Sequence, residues 1–203
     1  MRDSARRDLL TDLYADGVAH DDKQPDRLRR RRNLEPDSAE LLTLVLRAAG
    51  ARRIVEIGTS NGYSTIWLAD AAVDTGGHVV TVDVEEWPLV RENFDRAGVS
   101  ATVDFVLADG GAYLAGLADG SVDLLFLDAE RVEYPGWWPH PVRVLRPGGV
   151  LAVDNVLSHP AEVAEFLGLV AADGRFVGTT AAVGKGLYLA WRGPDTAPGT
   201  GSE

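Results

Sequence analysis

The chain has 203 residues, is 45% hydrophobic and 25% charged, and carries a formal net charge of −11. This is the profile of one globular domain long enough to bury a core, and it argues against non-specific nucleic-acid binding, which needs a basic footprint. The absence of cysteine excludes disulfides, thiolate catalysis and cysteine-ligated zinc; with no signal-peptide core and no apolar run of about 20 residues, a cytoplasmic protein that does not enter membranes is expected.

Ser4 to Ala15 is predicted helical, with Leu9, Leu10, Leu13 and Tyr14 on one side and Gly17 as its stop. A polar linker, His20 to Asp26, follows. Arg27-Leu28-Arg29-Arg30-Arg31-Arg32 reads as a solvated face balancing Asp21, Asp22, Asp26 and Glu35, with an anion patch or a role beside a substrate entrance as the alternatives. Pro36 suits the start of a helix to about Ala49, striped by Leu41, Leu42, Val45 and Leu46.

From there strands and helices alternate. A strand begins at Arg53; others are predicted at His78–Val82, Thr102–Leu107, Val122–Leu127, Val150–Val153, Arg175–Thr180 and Leu187–Trp191. Helices are predicted at Glu86–Ala97, Ala112–Leu117, around Val142–Leu145 and at Ala161–Ala172, with Arg146-Pro147-Gly148-Gly149 as a turn. Such alternation implies an α/β, doubly wound, mostly parallel sheet covered on both faces, with an antiparallel edge made by the last strands. Residues 1–35 are expected to form a helical extension or lid, 36–192 the main domain, and Gly193 to Glu203 a disordered tail.

The stretch Arg53-Ile54-Val55-Glu56-Ile57-Gly58-Thr59-Ser60-Asn61-Gly62-Tyr63-Ser64 reads as a buried strand, a glycine-punctuated turn and a helix start. Free N–H groups at such a start suit an anionic or polar ligand. A dinucleotide loop would need G-x-G-x-x-G, but Ser60 stands where the second glycine belongs. Gly58-Thr59-Ser60-Asn61-Gly62 also matches the G-x-S-x-G elbow of hydrolases. It follows the first strand, however, and no His-Gly-Gly-type oxyanion segment accompanies it. Ser60 is therefore expected to bond a cofactor rather than to attack a substrate.

Five strands put an acid at or just beyond their C-terminal ends: Glu56, Asp83, Asp109, Asp128 and Asp154. That rim is where doubly wound sheets bind ligands. A lone aspartate there often caps a helix or makes a turn. Clustered carboxylates repel one another and need hydroxyls, amines or a cation. Asp83 is placed to accept from ribose hydroxyls, and Asp128, Asp154 and Asn155 are hard oxygen ligands suited to Mg²⁺ or Ca²⁺.

Glu56-Ile57-Gly58-Thr59-Ser60-Asn61-Gly62-Tyr63-Ser64 resembles the first motif of class I S-adenosylmethionine-dependent methyltransferases. Asp128-Ala129-Glu130-Arg131 with Tyr134-Pro135, and the run from Leu145 to Leu157 containing Arg146-Pro147-Gly148-Gly149 and Asp154-Asn155-Val156, resemble segments of the catechol and caffeoyl-coenzyme A O-methyltransferase group. The resemblance spans roughly Asn33 to Trp191. It implies a Rossmann-like, seven-stranded methyltransferase fold, a homodimer and transfer of a methyl group from S-adenosyl-L-methionine to a small aromatic or catechol-like hydroxyl. It also implies that Glu56 and Ser64 hold the amino-acid end of the cofactor, that Gly58, Ser60 and Gly62 shape the loop beneath it, that Asp83 meets the ribose, and that Asp109 and Gly110 frame the adenine. Asp128, Asp154 and Asn155 match the ligands of a divalent cation such as Mg²⁺; Asp128 also borders the cofactor and, with Arg131, is the expected catalytic pair.

Arg131 departs from the group's lysine, which is proposed there as general base. Arginine stays protonated, so Arg131 is expected to stabilise a phenolate, with His159 or His140 as alternative bases. Trp137 and Trp138 are candidate walls of an aromatic pocket.

Overall fold

Seven strands form one sheet in the order β3-β2-β1-β4-β5-β7-β6 in the computed structural model, which describes residues 3–195. β1 (Arg53–Ile57), β2 (His78–Asp83), β3 (Val103–Leu107), β4 (Val122–Leu127) and β5 (Leu145–Val153) run parallel. β7 (Leu187–Arg192) is antiparallel to β5 and to the edge strand β6 (Phe176–Ala181). The expected doubly wound sheet with an antiparallel edge is thus the observed one.

The period-2 alternation of the strands sorts their side chains to two cores. Ile54, Leu124, Phe126 and Ala152 pack with residues of α1 (Ser4–Asp21), α2 (Pro36–Ala48), α3 (Tyr63–Thr75) and α4 (Val90–Ala97). Val55, Ile57, Leu125, Leu127, Leu151 and Val153 pack with residues of α5 (Gly110–Gly116), α6 (His140–Val144) and α7 (Pro160–Ala172). Burial on both faces explains the near-continuous apolar runs of β4 and β5. No described helix is long and apolar enough to cross a membrane.

Three expectations change. Gly17 does not stop the first helix, which runs on to Asp21 through the first two residues of the supposed linker. A Cβ at Gly17 would collide with the Asn33 amide, so this glycine serves close packing rather than a cap. Glu86 to Leu89 precede the fourth helix, because Leu89 has φ 68° and the helix begins at Val90. The Arg146–Gly149 turn lies inside β5: Val122 pairs with Leu145 and Leu124 with Val150, so the intervening residues form a bulge. Of the expected tail, residues 196–203 lie outside the described residues.

The strand order reverses between β1 and β4, which are neighbours although β2 and β3 separate them in sequence. Ligand crevices form outside the carboxyl ends of the strands at such a point.

Candidate active site at the carboxyl rim of the sheet

A cavity of about 310 Å³ opens over the ends of β1, β2 and β4. Its floor is the turn between β1 and α3. Gly58 has φ 106°, and a Cβ there would run into the backbone carbonyl of Asp128, so only glycine lets the ends of β1 and β4 close up. Gly62, at φ 84°, precedes α3, and its missing Cβ leaves room for the Phe94 ring. Between them the N–H groups of Thr59 and Ser60 both donate to Asp83 Oδ2 at 2.9 Å. Asp83 Oδ1 accepts from the Glu85 N–H at 3.1 Å. Asp83 therefore shapes the loop as well as lining the cavity.

Glu56 is fully buried behind this floor. Its carboxylate accepts from Ser64 Oγ and Thr81 Oγ1, each at 2.6 Å, and from the Thr65 hydroxyl. Burial pushes its carboxyl up to about 7, while those three donors pull it down. Glu56 does not line the cavity; Ser64, which it orients, does. Asp109 is likewise set back. It caps α5 by accepting from the Ala112 N–H at 2.7 Å, and Gly110 is the residue at the cavity wall.

The opposite wall carries Asp128 after β4 and Asn155 after β5, with Asp154 buried beside them. Asn155 has φ 65°, a conformation asparagine tolerates, and this turns its amide between two carboxylates. Nδ2 donates to Asp154 Oδ2 at 2.8 Å and to Asp128 Oδ1 at a long 3.4 Å. Burial, then the charges of Asp154 and Glu56, raise Asp128 well above the usual carboxylate range. Burial raises Asp154 to about 6. Asp154 Oδ1 is buried with no hydrogen-bond partner among the described residues.

No cluster of three or more His, Cys, Asp or Glu side chains suited to a metal occurs among the described residues. The acid set is instead two carboxylates and an amide. Two anionic groups held together, one with an orphaned oxygen, fit a hard divalent cation in donor type. The amide now turns its Nδ2 to the two carboxylates, so Asn155 would have to present its oxygen instead in order to hold a cation.

Arg131, 4% exposed, lies beside the acids at the cavity wall. Its Nε and Nη2 both bond Glu162 Oε2 of α7, at 2.9 and 2.8 Å. Burial alone would raise the Glu162 carboxyl, but the Arg131 hydrogen bond and charge outweigh it and hold it low. Neither histidine lines the cavity. His159 bonds Ser158 Oγ at 2.8 Å, and burial, with the Arg131 charge, lowers its pKa. Tyr134 fixes the segment between: its hydroxyl takes the Ala129 N–H at 2.8 Å and donates to the Ala129 carbonyl at 3.1 Å. Trp137 lines the cavity over Gly110 and Gly111, whose missing side chains make room for its ring. Trp138 packs on Phe166 instead, with ring centroids 6.4 Å apart.

The roof is the arginine-rich segment Arg27–Arg32 together with Asn33 and Leu34. Its first half, Arg27–Arg29, forms a 3₁₀ turn, and it is not balanced only by its neighbours. Arg27 pairs with Glu130 at 2.9 Å and Glu162 at 3.3 Å, Arg32 with Glu130 at 2.7 Å, and Arg29 with Glu85 at 3.1 Å. Backbone N–H groups of Arg31 and Arg32 donate to Asp21 at 2.7 and 2.9 Å. Ser60 Oγ donates to the Arg31 carbonyl at 3.0 Å, tying roof to floor.

A family model for O-methyltransferases matches residues 22–192. The chain belongs to the O-methyltransferase family. It is 38% identical over 128 residues to a catechol O-methyltransferase of Mycobacterium tuberculosis, and 31% identical over 130 residues to one of Niastella koreensis. Each alignment covers 62% of this chain and 58% of the relative, so the chain spans under two thirds of the length of these curated proteins. The crystal structure of an O-methyltransferase from Bacillus cereus in complex with SAH superimposes with a TM-score of 0.72 at 27% identity, covering 95% of this chain and 92% of that one. An O-methyltransferase from Streptomyces achromogenes in complex with SAM gives 0.72 at 27% identity, covering 96% and 92%.

For this O-methyltransferase family member, the fold brings Gly58, Ser60, Ser64, Asp83, Gly110, Asp128, Arg131 and Asn155 to one cavity. Glu56, Gly62, Asp109 and Asp154 do not line it. Asn61 was not singled out by the sequence. It lines the cavity, is 4% exposed, and neither polar atom of its amide has a hydrogen-bond partner among the described residues. A buried amide without partners is costly unless a ligand supplies them. The only sequence signal was its place inside the glycine loop.

Proposed function

We propose that this chain is an S-adenosylmethionine-dependent O-methyltransferase that methylates a hydroxyl of a small, catechol-like acceptor. The observation that carries this reading is one cavity at the β1/β4 reversal, with the glycine loop on one side and the Asp128–Asp154–Asn155 set on the other. The SAH and SAM complexes of structural neighbours support the cofactor, and the names of the curated relatives support the acceptor.

Ser64, oriented by Glu56, and the unpartnered Asn61 amide bind the polar groups of the methyl donor; Asp83 accepts from its ribose. Gly110 and Trp137 present flat, apolar surface to the adenine. A divalent cation held by Asp128, Asp154 and Asn155 would supply Lewis-acid stabilisation and orientation of the acceptor oxygen. Arg131 holds a fixed positive charge beside the reacting oxygen. The roof formed by residues 27–34 excludes water, which strengthens each of these interactions. Alignment and electrostatics supply most of the acceleration in such a displacement.

The test is turnover of a catechol panel with S-adenosylmethionine, with and without EDTA. Asp154→Ala is expected to abolish the metal-dependent turnover while calorimetry shows the methyl donor still bound. Turnover indifferent to EDTA would remove the cation from the proposal. The homodimer and a cytoplasmic location belong to the same proposal; the first is read by light scattering of the purified chain.

A further inference from the structure

The cavity holds a fixed cation where its chemistry calls for a base. Among its described lining residues there is no lysine and no histidine. Lys185 is paired with Glu35 at 2.7 Å, and His140, at the start of α6, is not at the wall. Ordinary carboxylates ionise at roughly pH 4 and a phenol at about 10; burial raises Asp128 above that range, but its carboxylate faces the Asn155 amide and belongs to the set suited to a cation. Arg131 cannot accept a proton at all.

Arg131 is nevertheless built in with care. It is buried, and Glu162 takes both Nε and Nη2. This leaves Nη1 without a hydrogen-bond partner among the described residues, on a side chain that lines the cavity. The charged groups around the guanidinium are Glu162 and His159 near the start of α7, Asp128 after β4, Asp154 after β5, and Arg27 and Arg32 of the roof. Arg27 and Arg32 are themselves tied up by Glu130 and Glu162.

We propose that the acceptor enters this site already ionised: the substrate class is acidic hydroxyls, such as electron-poor catechols and phenols, and Arg131, positioned by Glu162, captures the phenolate. This rests on the O-methyltransferase reading above and narrows its substrate. The proton leaves to solvent before binding. The phenolate oxygen then forms the new O–C bond to the donor's methyl as the C–S bond breaks, and the electron pair returns to sulfur, giving neutral S-adenosylhomocysteine. No protein group needs to take a proton.

The probe is 4-nitrocatechol, whose visible spectrum reports its ionisation. Titrated onto the full chain in EDTA without methyl donor, at a pH where the free compound is mostly neutral, it is expected to bind as the phenolate. Arg131→Gln is expected to weaken that binding about ten- to a hundredfold, the worth of a charged hydrogen bond; Arg131→Lys keeps the charge and retains most of it. Glu162→Gln leaves the charge but frees the guanidinium, and loses less than Arg131→Gln. Nitrocatechol bound in its neutral form, or bound equally by Arg131→Gln, overturns the proposal.

A second measurement follows kcat/KM against pH for 4-nitrocatechol, catechol and 4-methylcatechol. The apparent pKa is expected to move with the acidity of each acceptor. One pKa common to all three would mark a protein base and overturn the proposal. If none of the three is methylated, the reading as a catechol methyltransferase fails, and the spectral titration still decides whether Arg131 captures a phenolate.

Discussion

The glycine loop and the arginine roof close one cavity from opposite sides, and they are held by different forces. The loop rests on backbone geometry and partly buried hydrogen bonds: Gly58 at φ 106°, Gly62 at φ 84°, and two N–H groups on one carboxylate oxygen of Asp83. The roof adds to its backbone bonds with Asp21 and Ser60 a set of ion pairs between partly exposed side chains, with Arg27 49% and Arg29 61% exposed. Buried geometry is rigid and indifferent to salt. Exposed ion pairs are worth little each and are screened. The floor is thus the part whose stability should ignore salt, and the roof the part whose ion pairs should respond to it.

Breaking the floor has the largest expected effect. Gly58→Ala puts a Cβ into the Asp128 backbone at a strained φ. Strain and overpacking together cost about 3 kcal/mol or more, read by urea unfolding, and methyl-donor binding by calorimetry is expected to vanish. A stable Gly58→Ala chain with unchanged binding would show that the loop tolerates a side chain there.

The next effect is a pH dependence beneath the floor. Glu56 has its pKa raised by burial to about 7, against 4.5 when unfolded. The folded chain therefore holds a proton that the unfolded chain gives up between those values. The sign follows: this contribution to stability is complete below about pH 4.5 and is lost as pH rises through 7, by roughly 3 kcal/mol in all. Unfolding free energies at pH 5 and 8 should fall by that order for the wild type and change less for Glu56→Gln. Equal pH slopes for both proteins would remove Glu56 as the cause.

Breaking the roof should do least to stability. Glu130→Gln removes the partner shared by Arg27 and Arg32, and about 1 kcal/mol or less is expected. Its effect belongs on acceptor KM, which should rise severalfold, and about 0.5 M salt should have a similar effect on the wild type. A Glu130→Gln enzyme whose KM still responds fully to salt would place the sensitivity elsewhere.

The same contrast explains what the sequence revealed. Buried strands announce themselves by apolar runs, and an acid closing each run marks the rim, so the fold and the place of the cavity were legible. Which acid lines the cavity was not. Asp109 turns out to cap a helix and Glu56 to hold three hydroxyls, local hydrogen bonds that a strand-end acid does not announce in the sequence. The roof was least legible of all. Arg27 meets Glu130 and Glu162, more than 100 residues away along the chain, and no periodicity encodes such a pairing. Gly17 likewise looked like a stop signal until Asn33 was found packed against it.

The central claim is that the cavity between loop and acids holds a methyl donor. Isothermal titration calorimetry of the purified chain with S-adenosylmethionine tests it most directly. One site per chain is expected, lost in Gly58→Ala and weakened about tenfold or more when Asn61→Ala removes the unpartnered amide. No heat with S-adenosylmethionine, together with clear binding of NAD, would contradict it.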